Sequence, residues 1–145
     1  MKFNPVTEVH TAELKSMVTP DRFSTGESNL NLHSKDQSHH KASRPEAVMW
    51  PVDRREVSDI LKYANEHHIP VTGWGAGTSL EGNPIPVRAG IVLDFSHMNQ
   101  ILEIREEDFQ TDVEPGVGYA ISMKHSDTKA FSSRQIRGHQ PPLAG

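Results

Sequence analysis

The sequence contains no cysteine, which excludes disulfides, thiolate metal sites and cysteine nucleophiles. Apolar material is also scarce. Hydrophobic residues make up 34% of the 145, below the roughly 45–50% usual in globular domains. No apolar run approaches the ~18 residues that a membrane-spanning helix needs. A basic excess is missing too: 15 Lys and Arg against 19 Asp and Glu give a net charge of −4, which argues against a dedicated nucleic-acid binder. The first twenty residues carry Glu8, Glu13 and Lys15 and no apolar stretch, so no secretory signal is expected. These absences lead to the expectation of a soluble, cytoplasmic protein in a reducing compartment. Ten glycines and ten prolines point to many loops around a thin core. Such a chain is expected to complete its burial with a ligand, a partner or further sequence.

What is present is unevenly spread. Residues 1–45 are polar: a short helix is expected over Glu8 to Val18, ended by Pro20, followed by an extended strap without hydrophobic period from Arg22 to Arg44. A free loop of that length is unusual inside a compact domain, so the strap is expected to lie over something or to be disordered. Residues 46–119 read as an α+β segment. Glu46 to Trp50 is a strand stopped by Pro51. Asp53 and Glu56 have the spacing of a capping box, and Val57, Ile60, Leu61 and Ala64 form one apolar helical stripe. His67 and His68 fall in the last turn, where they suit the helix dipole. Further strands are expected at Pro70 to Thr72, Gly90 to Phe95, Gln100 to Ile104 and Gln110 to Glu114.

The densest chemical signal follows the strand at Pro70: Gly73-Trp74-Gly75-Ala76-Gly77-Thr78-Ser79-Leu80-Glu81-Gly82. Four glycines in this run of ten let backbone amides approach a ligand without obstruction by Cβ atoms. Successive amides in such turns form a nest for an anion, usually phosphate or pyrophosphate. Three familiar phosphate loops do not fit. No Gly-Lys pair exists for a P-loop. A Rossmann G-x-G-x-x-G fails in both registers, meeting Thr78 or Leu80 where the third glycine belongs, and Asn83-Pro84-Ile85-Pro86 forbids the helix that should follow. The kinase glycine loop shares the failed spacing. A flexible turn with no ligand remains the alternative from glycine content alone.

The segment PVTGWGAGTSLEG, followed by GIVLDFSHMNQILEI and VEPGVGY, resembles the FAD-binding domain of the p-cresol methylhydroxylase/vanillyl-alcohol oxidase type. Within it, the chain is most similar to FAD-linked 2-hydroxy-acid dehydrogenases, the cytochrome-type D-lactate dehydrogenases and the flavin subunit of glycolate oxidase. Upstream, Asp36-Gln37-Ser38 and Arg44-Pro45-Glu46-Ala47-Val48 through Pro51, with Glu56-Val57, resemble the same family's pattern. The resemblance covers about residues 30–119. It implies an α+β fold, the N-terminal part of such a domain: a small βαβ subdomain and the start of a second mixed sheet. It further implies that backbone from Trp74 through Gly75, Ala76, Gly77, Thr78 and Ser79 wraps the FAD pyrophosphate. Pro51 is implied to face the cofactor from a strand end, and Pro115, Gly116 and Val117 to approach the flavin. Some relatives attach FAD through a histidine in this loop. Thr78 stands at the matching position here, which implies noncovalent FAD.

Other residues invite less. His39-His40 and His67-His68 could suggest a metal, but adjacent side chains diverge and a zinc site needs three or four convergent ligands; no metal is expected. Glu81 is expected to anchor the loop, and Asp94 with Ser96 to cap a turn through Asn99. No catalytic residue is expected, because the family's substrate-handling groups lie in a later cap domain. Residues 120–145 lose all periodicity. With allowed codons, Lys129 to Gly145 can encode GLFFPPDPGASATIGG in a shifted frame, which resembles the family's next motif. The reading frame is therefore expected to change near Tyr119 or Ala120, leaving a nonsense tail. The expected function is the FAD-binding portion of an oxidoreductase acting on a small 2-hydroxy acid and inactive alone. The alternatives are a non-catalytic FAD-binding module or a subunit completed by another chain, and an unstable translation product; a complementing chain or an electron acceptor is the expected partner besides FAD.

Overall fold

A computed structural model describes residues 2–105, 107–108 and 110–118. The expected frame change and tail, residues 120–145, lie outside the described residues. Elements run in the order α1 (Glu8–Ser16), β1 (Phe23–Ser24), α2 (Glu27–Leu32), β2 (Ala47–Met49), α3 (Arg54–Glu66), β3 (Val71–Trp74), β4 (Ile91–Asp94), β5 (Ile101–Arg105) and β6 (Gln110–Val113). A four-stranded sheet has the order β1-β2-β4-β3, and β5 and β6 form a separate hairpin. β2, β4 and β3 are parallel, with β1 antiparallel at one edge. This is the expected α+β architecture, with a βαβ unit followed by the start of a second sheet.

The sheet's middle reads as continuous apolar runs because both of its faces are covered. All residues of β2 and β4 are buried, as parallel central strands require. Alternation sends Ala47, Met49, Ile91 and Leu93 into one core with Ile60, Ala64 and Ile69. Val48 and Val92 point the other way, joining Trp74, Leu30 and Trp50.

The strap is structured rather than loose. Phe23 enters the main core beside Leu14 and Val18 of the preceding segment, β1 extends the sheet, and α2 covers its second face through Leu30. A two-residue strand and a six-residue helix leave no readable period, which is why the sequence gives no sign of them.

Helix α3 begins where expected. Asp53 accepts hydrogen bonds from the Arg55 and Glu56 amides, both at 2.8 Å. Ile60 and Ala64 are buried, whereas Leu61, one residue round the helix, is 44% exposed and flanks the stripe. The helix ends in a Schellman turn: the Ile69 amide donates to the Ala64 carbonyl and the His68 amide to that of Asn65. His68 takes the left-handed position, φ +54°, that glycine usually holds.

Glu56 does not close a capping box. Its carboxylate instead takes a forked pair from Arg22, Nη1 to Oε2 at 2.5 Å and Nη2 to Oε1 at 2.8 Å, with the Val52 amide at 3.0 Å. Arg22 also donates to the Trp50 carbonyl. The ion pair thereby staples strap to helix. The Arg22 guanidinium holds the Glu56 carboxyl below its ordinary range against the opposing effect of burial. Glu56→Gln is expected to cost about 1–3 kcal/mol, the scale of hydrogen bonds to charged groups. Because the folded value is depressed, this stability is present above the unfolded carboxyl pKa and fades as pH falls through the folded one. Urea midpoints of parent and variant should therefore differ at neutral pH and converge in acid.

No helix among the described residues is long and apolar enough to cross a membrane.

Candidate functional site

The three parallel strands share one carboxyl edge, the side on which open α/β sheets bind ligands. Two of the expected site segments leave the sheet there, and the third, residues 115–117, packs on the turn that follows β4. Pro51 follows β2 and is fully buried. The glycine run follows β3. A short turn, Phe95–His97, follows β4, and Gly116 packs on it, its amide donating to the Met98 carbonyl at 2.8 Å.

The glycine run shapes an open groove of about 260 Å³, lined by Gly73, Gly75 to Ser79, Asn83 and Pro84. Pro51 and residues 115–117 do not line it. Neither does Trp74, whose ring is buried beneath, 6% exposed. No carboxylate is among the lining residues. The backbone amides of Gly75, Ala76, Gly77, Thr78 and Ser79 have no protein acceptor among the described residues. Five successive N–H groups without partners are a ready donor set for an anion. A Cβ on Gly75 would meet nothing within 4 Å, so one wall is open. At Gly77, φ is +67° and a Cβ would fall 2.5 Å from Trp74 Cζ2. The loop lies directly on the indole, and only glycine allows that approach.

The strap fixes the far side of this loop. Asp36 accepts from the Ser38 amide at 2.9 Å, the Ser38 hydroxyl at 2.5 Å and the Gly82 amide at 2.9 Å. The Gln37 amide donates to the Ser79 carbonyl at 3.2 Å. Burial raises the Asp36 carboxyl, but these donors together outweigh it and hold it below its ordinary range. The Asp-x-Ser motif thus clips the glycine loop at Ser79 and Gly82. Glu81 contributes its amide, which donates to Ser79 Oγ.

A buried polar cluster underlies the groove, and sequence reasoning missed its centre, His33. Asp94 caps the Phe95–His97 turn as expected, Oδ1 accepting from the Ser96 amide at 2.8 Å. Its other oxygen accepts from Trp50 Nε1 at 2.9 Å and lies 2.9 Å from His33 Nε2. Burial raises the Asp94 carboxyl, and the contacts from His33, Ser96 and Trp50 reverse that and lower it. The Leu30–His33 spacing of three was the one available signal, hidden in a polar stretch. His39 and His40 stack on each other, ring centroids 4.8 Å apart. Among the described residues no group of three or more His, Asp or Glu could hold a metal ion.

The family described as FAD binding domain matches residues 45–130. Glycolate oxidase subunit GlcD of Bacillus subtilis (strain 168) is 38% identical over 112 residues, covering 77% of this chain and 24% of that protein. The mitochondrial D-lactate dehydrogenase (cytochrome) of Arabidopsis thaliana is 33% identical over 120 residues, covering 81% and 21%. The crystal structure of p-cresol methylhydroxylase with substrate bound superposes with a TM-score of 0.74 at 24% identity, covering 87% of this chain and 26% of that one. At that identity the likeness is one of fold. The chain spans about a quarter of the length of these relatives.

Proposed function

Because this chain belongs to the FAD binding domain family, we propose that its glycine groove holds the diphosphate of FAD, noncovalently, on the amides of Gly75 to Ser79. The observation that carries this reading is the row of five unpartnered amides over a groove without carboxylates. A groove of about 260 Å³ suits the diphosphate rather than a whole dinucleotide. Trp74 supports the loop from below. Pro51 and the Pro115-Gly116-Val117 turn sit on the same carboxyl edge and would border the flavin. Thr78 stands where some relatives carry the histidine that links FAD, in keeping with noncovalent binding.

When bound, the flavin would supply the redox chemistry, serving as the two-electron acceptor for a small 2-hydroxy acid of the D-lactate or glycolate type. The protein's own part is to bind and orient. No residue among those described is assigned as acid or base, and no turnover is expected of these 145 residues alone. A second reading is a non-catalytic FAD-binding module or a subunit completed by another chain. We also propose three segments: an N-terminal helix and extended strap over residues 1–45, a partial FAD-binding domain over 46–119, and a frame-changed tail over 120–145. Sequencing of the gene tests that tail, and a shifted frame without the Asp-Pro-Gly motif ends it.

Titration of the chain with FAD, followed by amide NMR, tests the site. Resonances of Gly75 to Ser79 are expected to move at high FAD, with the flavin lost on gel filtration and no oxidation of D-lactate or glycolate. Movement elsewhere with these amides unchanged overturns the groove. Turnover by the 145 residues overturns the view that the site is incomplete.

A further inference from the structure

The floor of the groove rests on a buried imidazole whose two nitrogens face acceptors. His33 is 1% exposed. Its Nδ1 lies 2.8 Å from the Asn29 carbonyl oxygen, and its Nε2 lies 2.9 Å from Asp94 Oδ2. A carbonyl only accepts. So does a carboxylate, and this one already takes N–H groups from Trp50 and Ser96. Neutral imidazole has one N–H and one lone pair. Either tautomer would leave a lone pair pressed against an acceptor, a costly arrangement away from water. The imidazolium satisfies both sides at once.

The ring is also a packing surface. Its centroid is 4.8 Å from that of Trp74 and 5.9 Å from that of Trp50. Trp74 in turn carries Gly77. An unbroken line of contact therefore runs from Asp94 through His33 and the Trp74 indole to the glycine loop.

We propose that His33 is held as an imidazolium by Asp94 and is a positioning residue for the glycine loop, acting through the Trp74 ring. Removing its proton or its partner shifts the indole and with it the backbone of Gly75 to Gly77. The groups facing the ring are the Asn29 carbonyl from α2, the Trp50 indole beyond β2, the Trp74 indole from β3 and the Asp94 carboxylate from β4. Asp94 is the one ionisable partner among the described residues. The contacts that keep its carboxyl below the ordinary range agree with an ionised partner. The inference concerns the loop's conformation and goes beyond the question of which ligand the loop binds.

The test needs no flavin. In the full chain with 15N-labelled histidine at neutral pH, both ring nitrogens of His33 are expected to be protonated; one unprotonated nitrogen overturns the ion pair. Asp94→Asn is then expected to return the ring to the neutral form and to move the amide resonances of Gly75 and Gly77, leaving those of β5 and β6 in place. A neutral ring with unmoved loop amides overturns the positioning role. Should that variant fail to fold, alkaline titration of the parent chain reads the same coupling. The loop amides must move in step with the ring nitrogens, and a titration in which they do not is equally decisive. Indole fluorescence, quenched by an adjacent imidazolium, should rise over the same interval. An FAD titration that fails while this coupling holds would remove the cofactor reading and leave the inference standing.

Discussion

Gly90→Ala is expected to destabilise the domain by at least about 3 kcal/mol, seen as a lower urea midpoint with an unchanged slope. Gly90 has φ +73°, and a Cβ there would overlap the Pro70 carbonyl oxygen and lie 2.9 Å from the Pro70 Cβ. The left-handed backbone is not the main obstacle, since Ala89 next to it tolerates φ +56°. The obstacle is that Pro70 cannot retreat. Its carbonyl accepts the Ile91 amide at 2.8 Å, the first bond between β3 and β4. Gly90 is tied on its other side as well: its carbonyl takes the Glu46 amide at 2.7 Å and the Ala47 amide at 3.3 Å, and its own amide donates to Glu46 Oε2. Three parallel strands start from this junction. Relieving the overlap means giving up bonds to two of them, and a stability loss under about 1 kcal/mol would show that the junction yields cheaply.

Gly116→Ala is expected to act just as sterically but more locally. A Cβ there would overlap the Phe95 carbonyl oxygen and fall 2.7 Å from that of Met98. Both are backbone atoms of a short capped turn, so the 115–117 segment has to lift away. Lost with it are the Gly116 amide bond to Met98 and the support for the Val117 amide bond to Glu114. Hydrogen exchange should show protection vanishing at Gly116 and Val117 while β2 and β4 keep theirs, at a total cost of about 1–3 kcal/mol. Loss of protection through β4 as well would mean that the turn and the sheet unfold as one unit.

Much of this fold could be read from the chain because its signals are local. Pro51, the Asp53 cap, the stripe through Ile60 and Ala64, and the apolar run Ile91 to Leu93 each announce an element within a few residues. The glycine run was legible for the same reason: its amides and its failure to fit three phosphate loops are written in one segment. What escaped depends on distant partners. Glu56 has capping-box spacing, yet its carboxylate goes to Arg22, 34 residues away. His33 sits among Asn, Ser and Lys, and its importance comes from Asp94, 61 residues on. Asp36 looked like one letter of a motif, and its physical meaning as a clip on Gly82 required the fold. Trp74 shows both cases at once. Its place at the head of the loop was legible, and the inward turn of its ring was not.

β3 and β4 are parallel neighbours, yet no helix joins them. Most such pairs are bridged by one. Here the return journey from Trp74 to Ile91 is made by the very stretch that begins as the glycine loop and closes at Gly90. Anything clasped by the first half of that bridge therefore braces the alignment of both strands. By mass action, a guest present at a hundredfold its dissociation constant adds about 2.7 kcal/mol to the folded state. The melting temperature becomes a scale on which candidate nucleotides can be weighed against one another.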